Sequence, residues 1–234
     1  MNIPGVSLRG LSAPLRLADF GLVAFDMDST LIDIECVDEI AAAAGLKAEV
    51  AAITEATMRG EIADFKESLR RRVALLAGVP ESALHEIARE RLNLNPGVER
   101  FVAAARAAGL KTLLVSGGFT FFSDQVAARL RMDRARANVL EIVDGRLTGR
   151  LVDQPWGDIC DGEEKRRTLL QTCAELGLAP ARAIAVGDGA NDLPMMGAAG
   201  VSIAFHAKPA VRAQAMVAIN EGGMERALEV LRPD

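Results

Sequence analysis

Leu22-Val23-Ala24-Phe25-Asp26-Met27-Asp28-Ser29 joins an apolar run to a pair of aspartates. An uninterrupted run of this kind suits a strand of a parallel sheet covered on both faces. Side chains alternate along a strand, so carboxylates two positions apart point to one side as the strand ends. Open α/β sheets take their ligands beyond the carboxyl ends of the strands. Two close carboxylates repel unless a cation or a proton comes between them. The stretch therefore predicts a core strand that delivers an acidic pair to a ligand site, with Mg2+ as the cation and a phosphate as the ligand.

Working outward, residues 21–25, 111–115, 183–186 and 201–204 read as buried strands, and helical patterns separate most of them. One helix opens at Asn95-Pro96, a cap followed by a first-turn proline, and stops at Gly109. Another runs over about 163–176 and stops at Gly177. Strand–helix alternation predicts an α/β fold with a doubly wound parallel sheet. Residues 34–92 break the rhythm: Ile62, Phe65, Leu69, Val73 and Leu76 recur at helical spacing, as do Val37, Ile40, Ala41 and Ala44, and Leu84, Ile87 and Ala88. This predicts a helical-bundle cap over 34–92, inserted after the first core strand, with residues 1–33 and 93–234 forming the catalytic core. A cap placed there would shut water out of the site. Asp144-Gly145 between the runs 139–143 and 146–152 predicts a small β-hairpin serving as a flap or edge element.

The chain has 234 residues, half of them apolar, enough for one large domain or a core with a smaller partner. Its formal charge of −5 argues against a nucleic-acid surface. No stretch of about 18 apolar residues predicts a membrane span, and residues 1–20 show no signal-type apolar core. Cys36, Cys160 and Cys173 lack metal-type spacing and read as free thiols in a reducing cytoplasm. His85 and His206 read as structural, and Trp156 carries no functional reading.

Three strand endings carry chemistry: Asp26, Asp28, Ser29 and Thr30 after the first; Ser116, Gly117 and Gly118 after the second; Gly187, Asp188, Gly189, Ala190, Asn191 and Asp192 after the third. A phosphate ester resists an anionic nucleophile, and Mg2+ between them removes the repulsion. Asp26 and Asp188 offer hard oxygen ligands, so they must lie close enough to share one ion. Ser116 and the amides around Gly117 can donate to phosphoryl oxygens, and Lys165 adds positive charge. Asp26, Asp28, Asp188 and Asp192 together outweigh Mg2+ and Lys165 by one charge, which balances if one carboxyl is protonated. Asp28 is the candidate for that general acid. Its pKa must rise by roughly three units, on the order of 4 kcal/mol, through burial and like-charge neighbours, and its side chain must stay off the metal.

Asp26-Met27-Asp28-Ser29-Thr30-Leu31, Val115-Ser116-Gly117-Gly118-Phe119, Lys165 and Gly187-Asp188-Gly189-Ala190-Asn191-Asp192-Leu193 resemble the four motifs of the haloacid dehalogenase superfamily. The likeness runs over nearly all the chain from Phe20, through Ala204-Phe205-His206-Ala207-Lys208-Pro209, and is closest to the branch that hydrolyses phosphoserine. It implies a Rossmann-like core, Mg2+ as cofactor and a covalent aspartyl phosphate on Asp26. It also implies that Asp28 serves as acid and then base. The metal would be held by Asp26, the Asp28 backbone carbonyl and Asp188, with Asp192 in support. Lys165, Ser116 and Gly117 would hold the phosphoryl group, Gly118 would support them, and Asn191 would contact the substrate. By the same resemblance Glu35 takes the substrate ammonium and Arg72 its carboxylate, a pairing that suits a bidentate guanidinium. Phe65 covers the pocket, with Met58 nearby. The interval from Met58 to Phe65 is one residue longer than the family pattern. With only about twenty residues before the first strand, the chain is expected to lack the extra N-terminal regulatory domain that some relatives carry.

The implied activity is Mg-dependent hydrolysis of O-phosphoserine to serine and phosphate, the last step of serine biosynthesis. The alternative is a related phosphatase or phosphotransferase acting on another small phosphomonoester such as phosphothreonine. A receiver-type signalling module would lack both the second aspartate and the insertion. The implied partner is a small molecule, with no nucleic acid and no membrane, in the cytoplasm. Oligomeric state is left open, a homodimer included.

Overall fold

In the computed structural model, which describes residues 3–58 (Met58 by its backbone alone), 61–62 and 64–233, Leu22–Phe25 is a strand buried along its whole length within an eight-stranded sheet. Before it come β1 (Val6–Leu8) and β2 (Leu15–Arg16), and the strand itself is β3. Four helices follow: α1 (Cys36–Ala43), α2 (Lys47–Met58), α3 (Phe65–Leu75) and α4 (Glu81–Glu90). The chain continues through α5 (Val98–Ala107), β4 (Lys111–Phe119), α6 (Thr120–Leu130), β5 (Arg134–Val143), β6 (Arg146–Val152) and α7 (Gly162–Glu175). It ends with β7 (Ala183–Gly187), α8 (Leu193–Ala198), β8 (Val201–Phe205), α9 (Pro209–Arg212), β9 (Val217–Ile219) and β10 (Leu231–Arg232). Among the described residues no helix is long and apolar enough to cross a membrane.

The large sheet runs β1-β9-β8-β7-β3-β4-β5-β6. Its members from β9 to β5 are parallel, while β1 and β6 join antiparallel at the two edges. The alternation of β3 splits its side chains between two apolar clusters: Leu22 and Ala24 pack with Leu169 and Cys173 of α7, and Val23 and Phe25 with Phe101 and Val102 of α5. Phe25 meets Phe101 edge-on, with centroids 5.9 Å apart. Covering both faces is what lets β3 be apolar at every position.

The structure departs from the expected elements at β4 and at the start of α5. The second core strand does not stop at 115: β4 continues to Phe119, and its register with β5 shifts between Val115 and Phe119, so Ser116-Gly117-Gly118 lies in an irregular strand end. Asn95 does not cap α5. Gly97 holds that position, and the Asn95 side chain donates to the Thr30 and Ile32 carbonyls in the segment that follows β3. The hairpin turn at Asp144 and Gly145, with φ 50° and 70°, matches the left-handed pair that twisted strands require. The hairpin is an edge of the main sheet and not a free flap, since the first half of β5 pairs with β4. Its tip is also tied to the insertion: Gly78 N–H donates to Leu147 O, Leu147 N–H to Val79 O, and Glu81 N–H to Gly145 O.

The strands of chain entering and leaving α1–α4 are stitched together where they meet the core. Asp33 N–H donates to Asn93 O at 3.2 Å and Asn95 N–H to Leu31 O at 2.9 Å. These bonds set the four helices above the carboxyl end of β3.

Candidate active site

Sheet order decides which strand endings can cooperate. β7 and β4 flank β3 directly, with Phe25 level with Val186 on one side and Leu114 on the other. The three acidic or glycine-rich endings therefore lie side by side. On α7, Lys165, Leu169 and Cys173 recur every four residues on the buried stripe, so Lys165 continues that stripe toward the strand ends.

Where these strand endings meet there is a compact charge nest. One oxygen from each of Asp26, Asp188 and Asp192 lies within 4.8 Å of the others. Lys165 Nζ stands 2.7 Å from Asp26 Oδ1 and 2.7 Å from Asp192 Oδ1. Asp192 Oδ2 accepts from the amides of Asp188 and Gly189 at 3.1 and 3.0 Å, so both its oxygens are engaged by the protein. Asp26 Oδ1 also accepts from Met27 N–H at 2.7 Å. Thr30 Oγ1 donates to Asp188 Oδ1 at 3.2 Å.

Burial, repulsion from Asp192 and then from Asp188 push the Asp26 carboxyl well up, against the pull of Lys165. Burial, with Asp192 and Glu35, pushes Asp188 up to about 7. Burial alone would lower Lys165, but Asp192 and Asp26 outweigh it and hold the ammonium charged. Three carboxylates facing one ammonium carry an excess of negative charge, and a divalent cation bound by oxygen donors would bring the nest to neutrality. The donor set therefore fits such an ion.

Asp28 turns away from the nest. Its Oδ2 accepts from Cys36 N–H at 3.1 Å and its Oδ1 from Cys36 Sγ at 3.2 Å. Burial and then Glu35 push its carboxyl up to about 7, against the two Cys36 donors. Burial, and behind it Asp28, push the Cys36 thiol up as well, so it remains a thiol.

Ser116 is fully buried, and its Oγ accepts from Gly118 N–H at 2.9 Å. Gly117 lies close under the insertion: a Cβ there would come 3.0 Å from the Phe65 ring and 3.4 Å from Cys160 O, a tight fit that Phe65 would have to ease. Phe65, the first residue of α3, thus rests over the end of β4. Glu35 stands at the N-cap of α1 and accepts from Ser29 Oγ at 2.6 Å. Arg72, on α3, is half-buried. Burial holds its guanidinium below the ordinary value, countered by Asp38, Glu35 and Asp28, so its charge faces the acidic start of α1. Asn191 stands on the turn Ala190–Asp192, its Oδ1 filling the space beside Gly189. The Met58 side chain lies outside the described residues, as does Ala63 within the long Met58–Phe65 interval. His85 and His206 sit elsewhere, against the Phe121 ring and Gly222 O.

Two contributors, Cys36 and Asn138, are not among the expected site residues, and a third, Thr30, was expected there without a task of its own. Cys36 resembles any core thiol, and only its place directly after Glu35 could have hinted at a helix-start amide. Thr30 sits in the first motif, but its bond to Asp188 spans distant sequence. Asn138 is buried in a polar stretch of β5. It donates to Gly117 O at 2.8 Å and accepts from Cys160 N–H at 2.8 Å, tying the end of β4 to the approach to α7.

A parallel sheet with an acidic nest at the ends of its middle strands and helices inserted after the first is a hydrolase architecture. The chain belongs to the haloacid dehalogenase-like hydrolase family, whose model matches residues 23–197. Phosphatases of this family work with a divalent metal ion, and Asp26, Asp188 and Asp192 form an acidic triad of the kind that holds one. The chain is 67% identical over 229 residues to the phosphoserine phosphatase of Polaromonas sp. strain JS666, covering 98% of this chain and 97% of the relative. It is 66% identical over 230 residues to that of Albidiferax ferrireducens, covering 98% and 97%. A solved phospho-aspartyl intermediate analogue of phosphoserine phosphatase superposes with a TM-score of 0.83 at 34% identity, covering 91% of this chain and 99% of that one.

Proposed function

We propose that this protein hydrolyses O-phosphoserine to serine and phosphate with Mg2+, through an aspartyl phosphate on Asp26, and so completes serine synthesis. The observation that carries the reading is the nest itself: Asp26 and Asp188 close enough to share one ion, Lys165 against Asp26, and Asp28 turned aside. Asp26, the Asp28 backbone carbonyl and Asp188 would hold Mg2+, leaving Asp192 to fix Lys165 and the Asp188 amide. When bound, Mg2+ supplies the positive charge that lets an anionic nucleophile approach an anionic ester.

The chain's own groups do the rest. Asp26 attacks phosphorus, and the bond to the serine oxygen breaks as Asp28 gives that oxygen its proton. Asp28, now a carboxylate, takes a proton from the water that attacks the aspartyl phosphate, releasing phosphate and restoring Asp26. A carboxyl lifted to about 7 is poised to give and take a proton near neutrality. Lys165, Ser116 and the Gly117 amide hold the phosphoryl oxygens, with Gly118 fixing Ser116. Glu35 and Arg72 grip the ammonium and carboxylate of the amino acid, and Asn191 lines the substrate side. Residues 34–92 act as a cap that closes over the bound substrate, Phe65 forming its inner wall with Met58 nearby.

Phosphate release from phosphoserine, with and without Mg2+, tests the proposal directly. No release from folded protein rejects it. A panel with phosphothreonine and other small phosphomonoesters identifies a sibling activity, and an unchanged KM in Arg72→Ala would remove the assigned carboxylate clamp.

A further inference from the structure

Both oxygens of the Asp28 carboxyl are held by a single residue that takes no part in phosphate chemistry. Cys36 is the first residue of α1, where backbone N–H groups have no partner within the helix. The N-cap residue Glu35 makes no capping bond of its own, because Ser29 engages its carboxylate. Asp28 fills that role from the core side, accepting the Cys36 amide on Oδ2, and the Cys36 thiol reaches back to Oδ1. Two donors on the two oxygens fix both torsions of a short side chain. The held carboxyl borders the phosphate cradle, since a Cβ on Gly118 would lie 3.1 Å from Ser116 Oγ and 3.3 Å from Asp28 Oδ1.

We propose that Cys36 is a positioning residue: its thiol, together with its amide, fixes the Asp28 carboxyl beside the leaving-group oxygen and off the metal nest. The inference rests on Asp28 being the acid of the proposed reaction. It assigns a mechanical task to the start of the cap, because α1 carries the donors and the core carries the acid. The thiol is a weak donor, so its loss removes part of the restraint and leaves the amide bond in place.

The alternative is a thiol that merely fills space in the core, and the two roles separate in kinetics. Cys36→Ala should lower kcat for phosphoserine about 3- to 10-fold, the scale of one modest hydrogen bond, with KM changed less than about twofold. Cys36→Ser, which restores a donor, should recover most of that loss. If Cys36→Ala lowers Tm while kcat stays within about twofold of wild type, or if Cys36→Ser is no better than Cys36→Ala, the positioning role is overturned. A second readout needs no turnover. The infrared S–H stretch missing from Cys36→Ala should lie at the frequency of a bonded thiol in the wild type and move to that of a free thiol in Asp28→Ala. A band indifferent to Asp28→Ala overturns the inference. A wild type inert on phosphoserine but showing the shift overturns the proposed reaction alone.

Discussion

Lys165 lies fully buried between Asp26 and Asp192, 2.7 Å from each. Removing a cation from such a triad strands two carboxylates in a site that already pushes Asp26 upward, so Lys165→Met should destabilise the fold by about 3–5 kcal/mol, measured by denaturant unfolding. Asp26→Asn works the other way. It deletes one of the repelling carboxylates while Lys165 keeps Asp192, and an amide is a poor nucleophile. Turnover should vanish while Tm holds or rises; activity near wild type would remove Asp26 as the nucleophile. Asp133 shows a simpler balance far from the site. Burial alone would raise its carboxyl, but Lys111 and the amide and hydroxyl of Thr112 hold it below the ordinary range. A depressed folded-state value gives stability that is complete above the unfolded value of about 3.9 and lost as pH falls through the folded one. The Tm advantage of wild type over Asp133→Asn should therefore shrink between about pH 5 and about pH 3. An advantage independent of pH would mean the carboxylate charge is not what the Lys111 and Thr112 donors recognise. Asp26 was legible at this scale because it directly follows the apolar strand, but the expected one-sided pointing of the pair was not met: β3 ends at Phe25, and Asp28 turns to Cys36 while Asp26 joins Asp188 and Asp192. The tasks of Cys36, Asn138 and Thr30 were not legible, because each acts through a bond to a residue that only the tertiary fold brings near.

Among the elements, apolar runs announced β3, β7 and β8, while β5 went unread as a core strand. Its first half, Arg134-Ala135-Arg136-Ala137-Asn138, looks like a polar loop. It is nevertheless a strand, because Arg136 is paired with the buried Glu164 at 2.5 Å and lies over the Trp156 ring, while Asn138 is satisfied by two backbone groups. Polar residues with dedicated partners imitate loop composition. The insertion was legible as helices, but not the contacts that hold it down. On α3, Lys66 Nζ lies 2.9 Å from Asp158 and 3.7 Å from Asp161, and Arg70 also pairs with Asp158. These join the proposed cap to the loop that starts α7. The pairs are partly exposed, so each is worth at most about 1 kcal/mol and is screened by salt. Asp158→Ala should raise KM for phosphoserine about 2- to 5-fold at low ionic strength and leave kcat less affected. Wild type and variant should converge as salt is added. A KM difference that persists at high salt would point to packing against α3 instead of charge.

Across the whole molecule, the order β7-β3-β4 brings three separate stretches of sequence side by side, and the packing of α7 on the face of Leu22 and Ala24 sets Lys165 against Asp26 among them. The fold thereby concentrates carboxylates at one point and accepts their repulsion, with Asp188 pushed to about 7 and Asp26 raised by burial and by its neighbours. A divalent cation bound there would relieve that repulsion in the folded state, and the unfolded chain would offer no comparable cluster. Mg2+ should therefore raise Tm in a saturable way, by the equivalent of about 2.7 kcal/mol at a hundredfold excess over Kd. The ion binds carboxylates and competes with protons, and a group whose pKa lies near 7 holds its proton more of the time at pH 6 than at pH 8. The sign follows: the Mg2+-induced rise in Tm at a fixed sub-saturating concentration should be larger at about pH 8 than at about pH 6. Asp188→Asn, which removes a proposed ligand and its charge, should abolish most of the rise at both pH values while the metal-free protein keeps or gains stability. A Tm rise equal at the two pH values, or one undiminished in Asp188→Asn, would place the ion somewhere other than between Asp26 and Asp188.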